Sequence, residues 1–254
     1  MTDTPTVATQ PKPGPGLLSR VVGIVLSPRD TMAAVAETPK WFGVMALTIV
    51  IIAGATGWFY STQVGRLAAL DQAEQSMRVF SSLMSEQQMS EARRQMEDTY
   101  RNGSLMRVAG WPIVAVVIVS PIMALVIAGL VKLIFGVAMG GTATFKQVFA
   151  VVAHSYVVSM VAVLVVTPLN YVRESLNSAT TLRIFVPMLD DTNFLARLLG
   201  HIDLMTLWWI LVLSTGIAVL YKRKTTGVAI SLVAVYGVIA IGTAAIAAMF
   251  AARS

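Results

Sequence analysis

Residues 111–137 read WPIVAVVIVSPIMALVIAGLVKLIFGV, 27 residues with one charged side chain, Lys132. A helix needs about 20 mostly apolar residues to cross the roughly 30 Å of hydrocarbon in a bilayer. This stretch meets that length with residues to spare, so lipid and not water is the solvent against which the chain must be read. Four further stretches have the same character: 42–60, 148–169, 204–220 and 226–249. The bulk composition agrees, with 56% hydrophobic and 13% charged residues, where a soluble domain carries about 25% charged. The expected fold is all-α: a polytopic membrane bundle of five transmembrane helices, an N-terminal interfacial helix, and a helical extramembrane hairpin between the first two spans.

The net charge is +6 and the sequence pI is about 9.8. In a soluble protein that balance would suggest nucleic acid. Here no basic run is interleaved with aromatics, as single-strand binding requires, and the cations flank the spans, where they hold orientation. No nucleic-acid partner is expected; membrane lipids are. The chain has no cysteine, which excludes disulfides, thiolate nucleophiles and cysteine metal sites. No His-Glu-x-x-His, phosphate-binding Gly-rich loop or Gly-x-Ser-x-Gly elbow occurs. No catalytic residue, metal ligand or cofactor is assigned, and the chain is read as not an enzyme. His201 and Asp203 flank Ile202, but one such pair is a poor metal site.

Three segments organise the chain: a leader over 1–16, interfacial helices over 17–40, and a membrane domain over 41–254. The leader is rich in Thr and Pro, lacks the basic start and apolar core of a secretory signal, and reads as disordered. The first span is therefore expected to remain as an uncleaved anchor. Residues 17–26 are apolar but too short to cross, and with Arg20 on one side they read as a helix lying in the interface. Ser27, Pro28 and Asp30 resemble a capping box opening a second helix, which ends before Pro39. Lys40 and Trp41 mark one mouth of the first span, and Trp58, Phe59 and Tyr60 the other.

The segment 61–110 is the large extramembrane piece, with six Arg against six Asp and Glu. Leu70, Ala73, Met77, Phe80 and Met84 recur at steps of three and four, and Met89, Ala92, Met96 and Thr99 repeat the pattern. This heptad seam predicts two helices that extend the first and second spans, broken near 85–88 and at Asn102-Gly103. The seam either closes on itself as a hairpin or docks a partner through Leu70, Met77, Phe80, Met84 and Met96. Further along, Pro112 is expected in the first turn of the second span, Pro121 should kink that span, and Thr142 or Thr144 should cap the third. Pro168 is expected to end the third span, and Asp203 to open the fourth, where a carboxylate complements the helix dipole.

Lysine and arginine in the short loops set orientation. One face would hold Lys12, Arg20, Arg29, Lys40, Lys132, Lys146, Lys222, Arg223 and Lys224. The other would hold Arg173, Arg183, Arg197, Arg253 and the charge-balanced hairpin. The expected placement is a cytoplasmic (inner) membrane, with the N-terminus cytoplasmic and the C-terminus outside.

Within the spans, His154 is a candidate by default, because an ionisable group at that depth needs a partner. Lys132, Tyr156 and Tyr236 could join it in a polar site between the second, third and fifth spans, binding a headgroup or relaying a proton. That would make the chain a lipid or small-molecule transporter. The plainer alternative is that Lys132 snorkels to the interface and His154 bonds to a neighbouring helix. Ala240, Ala244, Ala248 and Ala252 leave one face of the last span bare, for packing within the bundle or for a homo-oligomer seam.

Four motifs now carry a resemblance. They are Leu26-Ser27-Pro28-Arg29-Asp30 before the first span, and Gly140-Gly141-Thr142-Ala143-Thr144-Phe145-Lys146-Gln147 leading to His154-Ser155. Asp203 with Thr206-Leu207-Trp208 and Leu213-Ser214-Thr215-Gly216 is the third, and the basic turn before the last span is the fourth. Over about residues 20–250 the chain resembles the Yip domain family of polytopic membrane proteins, in its bacterial-type branch. The resemblance implies a five-helix bundle without known catalytic activity. Eukaryotic relatives associate with Rab-type GTPases, but their Asp-Leu-Tyr-Gly-Pro segment is not found here, so that partner is not carried over. Some members of the bacterial branch accompany ABC-type exporters, which makes a non-enzymatic accessory or scaffold role, with another integral membrane protein as partner, the expected function.

Overall fold

The structure is a computed structural model describing residues 16–79, 84–176, 179–189 and 193–251. It is helical almost throughout. Helices α1 (Leu17–Leu26) and α2 (Pro28–Glu37) precede α3 (Phe42–Ser61), and α4 (Gln63–Val79) and α5 (Glu86–Asn102) form the hairpin. Then come α6 (Leu105–Val131), α7 (Phe145–Ser155), α8 (Val157–Val172), α9 (Phe194–His201), α10 (Leu204–Leu220) and α11 (Thr225–Ala251). Among the described residues four helical stretches are long and apolar enough to cross a membrane: Phe42–Ser61, Leu105–Ala138, Phe145–Val172 and Thr225–Ala245. The fifth expected span, α10, is apolar but only 17 residues long.

The third stretch is the centre of the bundle. It is 61% buried, against 22%, 11% and 17% for the other three. Every residue from Val148 to Ser155 is buried. The helices α2, α3, α6 and α10 all pack on α7, and small or β-branched side chains (Ala150, Val151, Ala153) let their backbones come close. Thr144 caps α7 in a full capping box with Gln147, whose side-chain amide also donates to the carbonyl of Ala36 at 2.9 Å. One glutamine thus closes a helix end and ties it to α2.

The N-terminal pair differs from expectation in two ways. The Ser27 side chain makes no capping bond, and instead Thr31 Oγ1 donates back to the Ser27 carbonyl at 3.0 Å. Arg20 does not face water. It is 4% exposed, and its guanidinium donates to the Thr38 carbonyl and Oγ1 at 3.1 and 2.8 Å. The guanidinium therefore sits at the carbonyl end of α2, where a cation is favoured by the helix dipole. Leu18, Val22 and Leu26 on the far side of α1 are exposed. The helix thus turns its cation inward and its apolar stripe outward.

Other boundaries move as well. The second span begins at Leu105, capped by Ser104, so Pro112 and Pro121 both lie inside α6. Pro112 is not in a first turn, because the helix already starts at Leu105. Residues Lys132–Ala138 continue α6 as a π-helix. Pro168 lies inside α8, which runs on to Val172. The chain also turns sharply between α3 and α4 instead of continuing straight. A Cβ on Gly65 would lie 2.0 Å from the Phe59 carbonyl oxygen, so only glycine fits there.

The hairpin closes on itself. Leu70 and Met77 are buried, Met84 and Met96 are half-buried, and Phe80 lies outside the described residues. Leu70 and Met77 are thus covered within this chain. Ala240 and Ala244 are likewise 2% and 0% exposed, with α10, α9 and α4 packed on α11. These two alanines are covered within one copy; the side chain of Ala248, and Ala252, lie outside the described residues.

Candidate functional site

Asp203 is the hub of the polar groups at one end of the bundle. It precedes the first turn of α10 in extended geometry, and its Oδ1 accepts from the Thr206 amide at 2.9 Å, as an N-cap carboxylate should. Its Oδ2 accepts from the Thr180 hydroxyl. Two backbone bonds hold this loop beside the helix: the Leu204 amide to the Thr180 carbonyl and the Leu182 amide to the Ile202 carbonyl, both 2.9 Å. Tyr236 of α11 braces the other side. Its Oη accepts from the Asp203 amide at 3.1 Å and donates to the His201 carbonyl at 2.6 Å.

Asp203 lines two adjoining cavities of about 420 and 340 Å³, which share Ala162, Asp203 and Met205. Together they form an open groove bounded by α3, α6, α8 and α10. The larger part reaches Tyr60, Thr167 and Asn170, and the smaller part reaches Tyr156, Ser159 and Trp209. Asn170 is 8% exposed and its Oδ1 has no hydrogen-bond partner. Trp209 Nε1 is also buried and unpartnered, and its ring meets Tyr156 edge-on at 6.0 Å. An unpaired buried polar atom costs about 1–3 kcal/mol, so each of these two atoms is destabilising where it stands.

The four residues singled out from the sequence do not meet in one place. Tyr156 lines the groove, and Tyr236 supports it through the Asp203 backbone. Lys132 is elsewhere: its Nζ donates to the Ala143 carbonyl at 2.6 Å, across the glycine loop. His154 is fully buried, with Nδ1 bonded to the Ala150 carbonyl of its own helix at 2.7 Å. A carbonyl only accepts, so Nδ1 carries the proton. Sequence reasoning missed Asn170 and Thr180. Asn170 carries a weak signal, a lone amide in the last turns of an apolar helix; Thr180, in a mixed polar loop, carries none.

The Tyr236 brace is testable. Tyr236→Phe removes one acceptor and one donor and leaves the ring in place. A loss of about 1–2 kcal/mol is expected, read as a lower midpoint of thermal unfolding in detergent. An unchanged midpoint would show that the two bonds contribute nothing.

Among the described residues no group of three or more His, Cys, Asp or Glu side chains could hold a metal ion. No curated protein and no solved structure matches the chain. A family model does, that of the Yip1 domain, over residues 22–247. With that match and its apolar helices, this multi-pass membrane protein belongs to the Yip1 domain family, whose members are not known as enzymes.

Proposed function

We propose that the chain is a non-enzymatic accessory or scaffold protein of the cytoplasmic membrane, in the bacterial-type branch of its family, acting on another integral membrane protein. An ABC-type exporter is the partner the resemblance favours. The observation that carries this reading is α5. This helix of 17 residues buries no side chain, and its exposed positions include Glu91, Arg93, Arg94, Glu97 and Asp98. A helix so polar is held by its caps, its ion pairs and its neighbour α4. Ser85 and Gln88 form a capping box at its start, and Arg101 meets Glu97 at 3.0 Å near its end. Those devices support a rigid, charged outer face suited to reading a partner's charges.

The same reading takes α10 as a fifth span, dividing the chain into a leader over 1–16, interfacial helices over 17–40 and a membrane domain over 41–254. Seventeen residues rise about 25 Å, the short end of what spans use. The contacts at its two ends support this. Tyr221, just past α10, stacks on Phe135 at the glycine-loop end. Asp203, just before it, shares the groove with Tyr60 at the far end of α3. The N-terminus is then cytoplasmic and the hairpin outside.

Single cysteines test both parts without background, because the chain has none of its own. With Glu91→Cys and Lys224→Cys, an impermeant thiol reagent should label the first from outside and the second only after permeabilisation. Labelling of both from one side would remove the fifth span. A photo-crosslinker at Arg93 or Arg94 in native membranes should capture one defined membrane protein, and Arg93→Glu with Arg94→Glu should weaken that capture about tenfold. Recovery of lipid or of this chain alone would overturn the partner reading.

A further inference from the structure

A polar cavity of about 430 Å³ lies where the hairpin meets the end of α3. Its described lining carries two arginines, Arg66 and Arg101, and no carboxylate. Arg66 of α4 is half-buried, and its Nε donates to the Tyr60 carbonyl at 3.1 Å and its Nη1 to the Gly103 carbonyl at 2.7 Å. Among the described residues it makes no ion pair. Both acceptors are neutral, so they fix the guanidinium without cancelling its charge, and Nη2 keeps its donors for a ligand. Arg101 of α5 meets Glu97 at 3.0 Å, but both side chains are more than half exposed and Glu97 does not line the cavity. A pair so open to water holds its partners weakly.

Below this cavity the same side of α3 is apolar. Val50, Gly54, Trp58 and Ser61 recur at steps of four, four and three, so they share one face of the helix. Ser61 lines the polar cavity, while Val50, Gly54 and Trp58 line an apolar groove of about 440 Å³ against Leu164 and Pro168 of α8. Trp58 and Ser61 stand about 4.5 Å apart along the helix axis, and the Ser61 hydroxyl donates to the Trp58 carbonyl at 2.6 Å. Val50 is 67% exposed, and nothing lies within 4 Å of a Cβ on Gly54. The groove is therefore open along the lipid-facing side. A tryptophan between an apolar groove and a cationic cavity marks headgroup depth.

We infer that these two features together bind an anionic phospholipid of the phosphoglycerol class, from the leaflet on the hairpin side. The phosphate lies between Arg66 and Arg101, where guanidinium donors make charge-assisted bonds to its oxygens. The Tyr100 hydroxyl lines the same space as a further donor, and the Gln63 amide meets the glycerol hydroxyls. One acyl chain fills the groove beside Gly54. A free phosphate ester has the same polar chemistry but leaves that groove unused, which favours the lipid. A choline headgroup brings its own positive charge beside two arginines and binds more weakly.

The test uses the full chain, stripped of lipid in a maltoside detergent. Thermal unfolding is followed during titration with phosphatidylglycerol, phosphatidylcholine or soluble glycerophosphoglycerol. Phosphatidylglycerol at ten times its dissociation constant should raise the midpoint by about 3–5 °C, with phosphatidylcholine at least tenfold weaker. Gln63→Glu puts a carboxylate in the cavity and leaves both Arg66 bonds in place, and Gly54→Leu fills the apolar groove. Neither should lower the lipid-free midpoint, and each should weaken the phosphatidylglycerol titration at least fivefold. A soluble ester as effective as the lipid would overturn the lipid assignment in favour of a free phosphate ester. Equal titrations with the two lipids, or an unchanged one in Gln63→Glu, would overturn the cationic site; an unchanged one in Gly54→Leu would overturn the groove. None of these outcomes bears on the α5 partner surface, which is read by crosslinking at Arg93 and Arg94.

Discussion

Gly216→Leu should destabilise the protein by about 3 kcal/mol or more. Gly216 lies in α10 where that helix meets α2 and α7. A Cβ there would stand 2.4 Å from Val151 Cγ1 and 3.0 Å from Met32 Sδ. A leucine adds three more carbons to a space already closed. Val151 is β-branched, sits on the central helix and is 1% exposed, so it has no free rotamer to retreat into. Overpacking a dense core costs about 1–3 kcal/mol where neighbours can shift, and this junction has little room. At about 2–4 °C per kcal/mol, the unfolding midpoint should fall by about 6–12 °C. Gly54→Leu is the control, since nothing lies within 4 Å of a Cβ at that position in α3. Equal effects of the two substitutions would mean that the junction is not a packing constraint.

Asp203→Ala should be the next most costly change, at about 2–4 kcal/mol. It removes the N-cap of α10, worth about 0.5–2 kcal/mol. It also leaves the Thr180 hydroxyl and the Thr206 amide without their acceptor. Asp203→Asn separates the two losses. Asparagine still caps through Oδ1, and its amide nitrogen in place of Oδ2 donates to the Thr180 hydroxyl, a neutral bond weaker than the one to the carboxylate, so part of the loss should remain. The order aspartate, asparagine, alanine in unfolding midpoint is the expected result, together with faster hydrogen exchange at 180–182 in the alanine variant. An alanine variant within about 0.5 kcal/mol of the parent would mean that the loop is held without the carboxylate.

The spans themselves were legible because hydrocarbon imposes a requirement that composition alone reveals. Long apolar runs satisfy their own backbone only as helices. Capping chemistry was legible where it is local: Thr144 with Gln147, and Asp203 at the start of α10, stand where their residue types put them. The same local rule failed at Ser27, whose hydroxyl makes no capping bond in the geometry that the turn between α1 and α2 imposes. It failed at Pro112 and Pro168 because proline marks a preferred boundary and not an obligatory one. Inside a packed bundle a long helix tolerates it.

Sidedness was the part that composition hid. In water, an amphipathic pattern announces which face of a helix is buried. In lipid the outside is as apolar as the inside, so α3, α6, α7 and α11 look alike as sequence, although only the third span is mostly enclosed. Arg20 shows the same ambiguity reversed: a cation on an apolar helix can face water or the carbonyl end of a neighbour, and the neighbour is α2. By itself, then, the amino-acid order determined that this is a helical membrane protein, roughly where the apolar helices lie, and that Thr144 and Asp203 open two of them. Only the tertiary structure decided that α7 is the central post, that Tyr236 braces Asp203, and that Asn170 and Trp209 line two adjoining cavities. Those pairings join residues tens of positions apart, and no local free-energy preference records them.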